Sequence, residues 1–99
     1  MKFEVKKTKE NFIYLLRSAG YTFQREDKIR NQFSFYRFLG PSAYPRFHLF
    51  VTPENGDLSI ALHFDQKMPV YAGVTAHSGE YDGSLIDREV ARIKNFFVA

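Results

Sequence analysis

The sequence contains no cysteine, and this absence excludes a disulfide framework, a zinc site built on thiolates and a cysteine nucleophile. It also lacks any apolar run close to the roughly 18 residues that a membrane span requires. No signal-peptide pattern opens the chain. We therefore expect a soluble protein of the cytoplasm.

Neither acidic nor basic residues dominate the whole chain, but they are unevenly distributed. The formal net charge is +3 over 99 residues; residues 1–50 hold ten Lys and Arg against four Asp and Glu, whereas residues 51–99 hold four against seven. A basic half is compatible with a nucleic acid or another anionic partner, and at this modest charge it also suits an ordinary solvated surface. The length indicates one domain with one core, which we expect over residues 1–99.

A β-hairpin around Asn55 and Gly56 is the clearest structural signal. Residues 46–52 and 57–64 alternate apolar and polar side chains, and the Asn-Gly pair supplies the positive φ angles of a tight reversal. The loop has either two residues, Asn55 and Gly56, or four, beginning at Pro53. The sequence is compatible with both.

The alternation assigns each side chain of this hairpin to one of two faces. One face carries the apolar set and is expected to face the core: Phe47, Leu49, Val51, Leu58, Ile60, Leu62 and Phe64. The opposite face carries His48, Phe50, Ala61, His63 and Asp65. A two-residue loop places the two histidines directly opposite each other, whereas a four-residue loop makes them diagonal neighbours.

The first third of the chain predicts a helix followed by strands. Thr8 is a plausible N-cap for a helix over about residues 9–19, and Gly20 suits the left-handed position that ends it. Residues 21–24 begin a strand, and the polar residues 25–31 predict a turn or surface loop.

The aromatic segment 32–39 predicts a further strand, which the prolines of residues 40–45 end. If Leu39 pairs with Arg46 across that break, Phe35 and Arg37 share a face with His48.

The last third predicts one helix. Residues 70–77 are either a short strand or an ordered loop. From about Ser84 the spacing becomes helical, and Ser84 with Asp87 forms a weak capping box. The apolar stripe consists of Ile86, Val90, Ile93 and Phe97.

These elements predict an α+β domain: an antiparallel three- to four-stranded meander with an N-terminal and a C-terminal helix packed on one face. Residues 2–5 are compatible with a short additional edge strand. The order is similar to double-stranded-RNA-binding-like layouts, and LLRSAGYTFQRED (residues 15–27) resembles the opening of HicA-type toxins. Those toxins carry a histidine in the strand after their first helix, whereas residues 21–39 contain none. Their ribonuclease activity is therefore not expected here.

A second resemblance covers residues 62–83. The segment LHFDQKMPVYAGVTAHSGEYDG resembles part of a group of small uncharacterised proteins from reduced-genome bacteria of the candidate phyla radiation. This resemblance implies a bacterial protein and carries no activity with it.

The histidines and carboxylates of the second half predict a divalent-metal site. The candidate ligands are His48, His63, Asp65 and His77, with Glu80 in reserve. Three imidazoles and a carboxylate suit zinc best, or another late first-row divalent ion. Their spacing matches no named metal motif, and semi-exposed sheet histidines are the plainer interpretation.

An alternative interpretation uses the same face as a nucleic-acid (RNA or single-stranded DNA) binding surface. Aromatic rings stack on bases and cations neutralise phosphates. The candidate residues are Phe35, Arg37, Arg46, His48, Phe50 and His63, with Arg25, Lys28 and Arg30 at a basic rim.

Two further interpretations stay open. His63 with Asp65, or His77 with Asp82, could act in metal-free acid–base chemistry, although no serine stands in a nucleophile-elbow pattern. An aromatic sheet face is also a good surface for a homodimer. The sequence commits the protein to no enzymatic activity.

Overall fold

A computed structural model of the chain describes residues 1–66 and 78–98, with side chains in the last helix described from Gly83 onward. The predictions for residues 70–77 therefore lie outside the described residues. Among the helices in the described ranges, none combines the length and apolarity that crossing a membrane requires.

The described residues form one five-stranded antiparallel sheet and two helices. In chain order the elements are β1 (Lys2–Lys6), α1 (Phe12–Ser18), β2 (Thr22–Asp27), β3 (Gln32–Phe38), β4 (Arg46–Glu54), β5 (Asp57–Asp65) and α2 (Ser78–Asn95). The strand order is β1-β5-β4-β3-β2, so β2 to β5 form a meander and β1 adds to the far edge of β5. The α+β class is confirmed, but the sheet is larger than the expected three to four strands, and β1 precedes the first helix.

The hairpin between β4 and β5 has the two-residue loop. Asn55 has φ 46° and Gly56 has φ 85°, the left-handed values that such a turn requires. His48 consequently pairs with His63, and Glu54 lies opposite Asp57 despite their like charges. Asp57 has a compensating partner, because Lys6 Nζ lies 3.8 Å from its Oδ1.

The expected alignment of β3 is wrong by one residue. Phe38, not Leu39, pairs with Arg46, so that Arg37 lies opposite Phe47. Because side chains alternate along a strand, this shift moves Phe35 and Arg37 to the face that carries the core.

The β2–β3 turn is shorter than the polar sequence suggested. β2 continues to Asp27 through a bulge between Phe23 and Arg25. The Oδ1 atom of Asp27 then accepts hydrogen bonds from the backbone N–H groups of Ile29 (3.1 Å) and Arg30 (3.2 Å). These bonds fix the turn, because they satisfy backbone donors that would otherwise face only solvent.

Both helix starts differ from the predictions. The N-cap of α1 is Asn11, whose side chain accepts a 2.8 Å hydrogen bond from Ile13 N–H, so Thr8 does not cap the helix. Gly20 has φ 97° and follows the helix end, as expected. α2 begins at Ser78 rather than Ser84, so that Ser84 lies inside the helix.

The core lies between the two helices and one face of the sheet. Its members include Leu16 and Ala19 of α1, Ile86, Ile93 and Phe97 in or just after α2, and Phe35, Phe47, Leu49, Val51, Leu58, Ile60 and Leu62 of the sheet. We call this side of the sheet the covered face and the opposite side the outer face. The hairpin side chains assigned to the core from their alternation lie on the covered face.

Candidate functional site

The outer face of the sheet brings the candidate side chains together in cross-strand rows. Paired residues of neighbouring antiparallel strands share a face. One row consists of Tyr36, His48 and His63, and the next consists of Phe38, Arg46 and Asp65. A third row consists of Arg25, Ser34, Phe50 and Ala61.

Aromatic rings of neighbouring rows make direct contact with one another. The ring centroids of His48 and Phe50 are 4.5 Å apart, and those of Phe50 and His63 are 5.8 Å apart in an edge-to-face arrangement. The rings of Tyr36 and Phe38 are 5.0 Å apart. Phe38 is 47% exposed, and the remaining rings except His63 are half-buried. The outer face therefore carries a contiguous aromatic surface (Tyr36, Phe38, His48, Phe50 and His63).

Arg46 is held over this surface by stacking and by an ion pair. Its guanidinium carbon lies 4.8 Å from the ring centroid of Tyr44 and 5.7 Å from that of Tyr36. Its Nε donates a 3.1 Å hydrogen bond to Asp65 Oδ2. The same Asp65 oxygen lies 3.6 Å from His48 Nδ1. Arg46 is thus oriented without being buried, since its side chain keeps 25% of its exposure.

His48 sits at the junction of these contacts and is biased to the neutral form. Burial lowers the pKa of His48 below its ordinary 6.5, aided by the charges of Arg46 and His63 and opposed by the Asp65 carboxylate. Its Nε2 is buried and has no hydrogen-bond partner among the described atoms. A buried polar atom without a partner is a place where a ligand or water can bond.

The predicted metal ligands are only partly brought together. His48 pairs with His63, and Asp65 approaches His48, whereas His77 and the Glu80 side chain lie outside the described residues. No three His, Asp or Glu side chains that the structure describes are arranged to hold a metal ion. The Arg46 guanidinium at Asp65 also brings a positive charge to the position that a cation would take.

The predicted nucleic-acid residues divide between the two faces. Arg46, His48, Phe50 and His63 lie on the outer face as expected, with Arg25 in the same set of rows. Phe35 is fully buried on the covered face, and Arg37 bonds a carboxylate there. Tyr36 and Phe38 take their places on the outer face. With the register of β3 known, the alternation of its side chains would have indicated these two residues.

The sequence reasoning missed a buried polar cluster on the covered face. Glu89 of α2 is 5% exposed; its Oε2 accepts a 2.6 Å hydrogen bond from the Tyr21 hydroxyl. Arg92 donates to both carboxylate oxygens at 2.9 Å, and Arg37 lies 3.4 Å from each. One signal in the sequence could have revealed this burial: the spacing of Ile86, Glu89 and Ile93 places Glu89 on the apolar stripe of the helix.

The cluster holds Glu89 ionised and Tyr21 neutral. Burial opposes the charge of Glu89 most strongly, but the hydrogen bonds from Arg92 and Tyr21 outweigh it and lower the pKa of Glu89. Burial and the hydrogen bond to Glu89 raise the pKa of Tyr21 well above its ordinary 10.0. Arg92 also donates a 2.6 Å hydrogen bond to the Ala19 carbonyl, so the cluster joins α2 to the end of α1.

Comparisons with protein-family models, with curated proteins and with solved structures find no match. The two resemblances drawn from the sequence, to HicA-type toxins and to the bacterial proteins, therefore stay predictions.

Proposed function

We propose that this protein binds single-stranded nucleic acid, RNA or DNA, through the outer face of its sheet. The observation that carries the proposal is the contiguous aromatic surface with Arg46 held beside it. Bases splayed from a single strand stack on aromatic rings, and each such stack contributes about 1–3 kcal/mol. The staggered rings of Phe38, Tyr36 and Phe50 offer positions for successive bases.

Stacking is expected to dominate over phosphate attraction. The outer face carries four cationic side chains, Lys2, Lys6, Arg25 and Arg46, but five carboxylates accompany them, those of Glu4, Asp27, Glu54, Asp57 and Asp65. Two to three phosphate contacts to a single strand predict a logarithmic salt slope of about −1.4 to −2. A duplex, whose bases are already stacked and paired, lacks the free base faces that this surface suits.

Fluorescence anisotropy with labelled 12-nucleotide oligo-U, oligo-dT and a duplex of equal length tests the proposal. We expect the single strands to bind more tightly than the duplex, and Tyr36→Ala and Phe50→Ala each to weaken binding about tenfold or more. Tyr14→Ala is the matched control, because Tyr14 is a 60% exposed aromatic residue on α1, away from the outer face.

Equal losses in Tyr14→Ala and Phe50→Ala would show that binding does not use the outer face. A second outcome would replace the proposal with self-association through the same surface. In that case the wild-type protein binds neither oligo-U nor oligo-dT, and its mass in solution is that of a dimer, which Phe38→Asp disrupts.

A divalent-metal site is the second candidate, and the direct pairing of His48 with His63 favours it. Asp65, 3.6 Å from His48, would be the third ligand. Neutral imidazoles and a carboxylate suit zinc, and the low pKa of His48 keeps it available as a ligand near neutral pH. In this case Arg46 would have to leave Asp65.

Elemental analysis of untagged protein after gel filtration, with thermal melts in and out of EDTA, tests the metal candidate. We expect near-stoichiometric zinc that is lost with stability in His63→Ala. His63→Ala is informative because His63 is exposed, so its loss should not disturb the core by itself. A metal-free protein whose melt EDTA leaves unchanged would rule the site out.

A further inference from the structure

A shallow cavity opens on the outer face next to the aromatic surface. It has a volume of about 90 Å³ and is lined by Arg25, Asp27, Arg30, Gln32, Ser34 and Phe50. This volume is several times the roughly 10–15 Å³ that one water molecule requires. That is room for one compact polar group rather than for a whole nucleotide.

The cavity exists because a small residue separates two large ones. Ser34 stands between Arg25 of β2 and Phe50 of β4 in one cross-strand row, with neighbouring strands about 4.8 Å apart. The Ser34 hydroxyl bonds the Arg25 carbonyl at 3.4 Å and is turned away from Phe50. The row therefore offers an aromatic ring and a guanidinium with space between them.

The second guanidinium is held by the turn. Asp27 Oδ1 accepts the backbone N–H of Arg30, and its Oδ2 lies 3.9 Å from Arg30 Nε. Arg30 keeps most of its exposure at 77%. Within the described residues no carboxylate lies within 4 Å of the Arg25 guanidinium. Two arginines and one carboxylate leave the lining of this cavity with a net positive charge.

We propose that this cavity is a phosphate subsite for a nucleotide whose base lies against Phe50. Arg25 and Arg30 would bond the phosphate oxygens, since guanidinium forks match phosphate geometry. The Gln32 amide, which can both donate and accept, would bond the base or sugar edge. The proposal rests on the proposed function and deepens it by placing one end of the bound strand at the β2–β3 turn.

Titration of the isotope-labelled wild-type protein with adenosine 5′-monophosphate, adenosine and oligo-U tests the subsite by NMR. We expect the monophosphate to bind at least about tenfold more tightly than adenosine, because Arg25 and Arg30 each add a charge-assisted contact. Its shifts should centre on the amides of Gln32 and Ser34 and the Nε signals of Arg25 and Arg30.

Variants separate the subsite from the aromatic surface. Arg25→Ala and Arg30→Ala should each reduce the advantage of the monophosphate and reduce the salt slope for oligo-U by about 0.7. Ser34→Val should do the same by filling the cavity while keeping a strand-favouring residue. Arg17→Ala, an exposed arginine near the end of α1, is the matched control and should change nothing.

The outcomes distinguish the two proposals. Oligo-U binding that depends on Tyr36 but not on Arg25 or Arg30 would overturn the subsite and leave the proposed function standing. Monophosphate binding at the cavity without any binding of oligo-U would support the subsite and overturn the proposed function. If neither ligand shifts the cavity signals, both proposals are wrong.

Discussion

The two faces of the sheet use the same kinds of side chain in different ways. On the covered face, Glu89 bonds a tyrosine and two arginines and keeps only 5% of its exposure. On the outer face, Asp65 also bonds an arginine, Arg46, whose guanidinium stacks on a tyrosine, but it is 30% exposed. Both oxygens of Glu89 are bonded at 2.6–2.9 Å, whereas His48 beside Asp65 keeps a buried nitrogen without a described partner.

This difference separates residues that stabilise the fold from residues that remain available to bind a ligand. A buried polar group whose bonds are all satisfied inside the protein stabilises one arrangement of the elements it joins. Partly exposed groups held in place but not fully bonded contribute little to stability and retain capacity for a ligand. We therefore expect substitutions in the Glu89 cluster to change the free energy of unfolding, and those on the outer face to change binding.

Glu89→Ala should give the largest loss of stability, about 2–4 kcal/mol, because it leaves the Tyr21 hydroxyl buried without its acceptor and two arginines without their carboxylate. Urea unfolding measures it. Asp87→Ala, which removes an exposed carboxylate from the same helix, should stay within about 0.5 kcal/mol of wild type. Because the pKa of Glu89 is lowered in the folded protein, its contribution is present above pH 4.5 and is lost as the pH falls further. Equal effects of the two substitutions would contradict a special role for the cluster.

Tyr21→Phe should cost about 1–2 kcal/mol at neutral pH, since it removes only the 2.6 Å hydrogen bond to Glu89 and keeps the ring. The pKa of Tyr21 is raised in the folded protein, so its contribution is fully present below pH 10 and is lost as the pH rises beyond that value. Between pH 8 and pH 11 the free energy of unfolding should therefore fall less steeply with pH in Tyr21→Phe than in wild type. An identical alkaline loss in both proteins would assign that loss to other groups.

Gly20→Ala and Gly56→Ala form a matched pair that tests how tightly the covered face is packed. Both glycines have positive φ, so each substitution should cost about 1 kcal/mol through backbone strain. A Cβ at Gly56 meets nothing within 4 Å, whereas one at Gly20 would lie 3.2 Å from Arg37 Nε. Gly20→Ala should therefore be the more destabilising by a few tenths of a kcal/mol, and Arg37→Ala should remove the difference.

The hairpin could be predicted because two independent signals coincide there. The Asn-Gly turn and the alternation of both strands place Leu49 on one face and His48 on the other, whichever loop forms. The choice of loop could not be made from sequence, because the shorter loop opposes Glu54 to Asp57. The structure offsets this repulsion with Lys6 of β1, a strand distant in sequence.

The face of β3 and the role of Glu89 could not be predicted for the same physical reason. β3 is aromatic on both faces, so alternation alone does not say whether Phe35 or Tyr36 is buried, and the loop before β4 conceals the register. Two of the three partners of Glu89 lie 68 and 52 residues away, at Tyr21 and Arg37. Local spacing placed Glu89 on the apolar stripe, but only the packed structure supplies the donors that make its burial favourable.

Asp65→Asn should give the smallest change in stability, within about 1 kcal/mol, because both side chains of its ion pair with Arg46 are partly exposed to solvent. Its clearer effect should be on His48. The Asp65 carboxylate opposes the lowering of the pKa of His48, so its removal should lower that pKa further, as an NMR titration of the imidazole can measure. A histidine with a depressed pKa contributes stability above pH 6.5 that is lost as the pH falls, so Asp65→Asn should lose more stability than wild type between pH 7 and pH 5. A higher pKa of His48 in the variant would mean that Arg46, freed from Asp65, moves away from the imidazole, and that the outer face is less rigidly arranged than its contacts indicate.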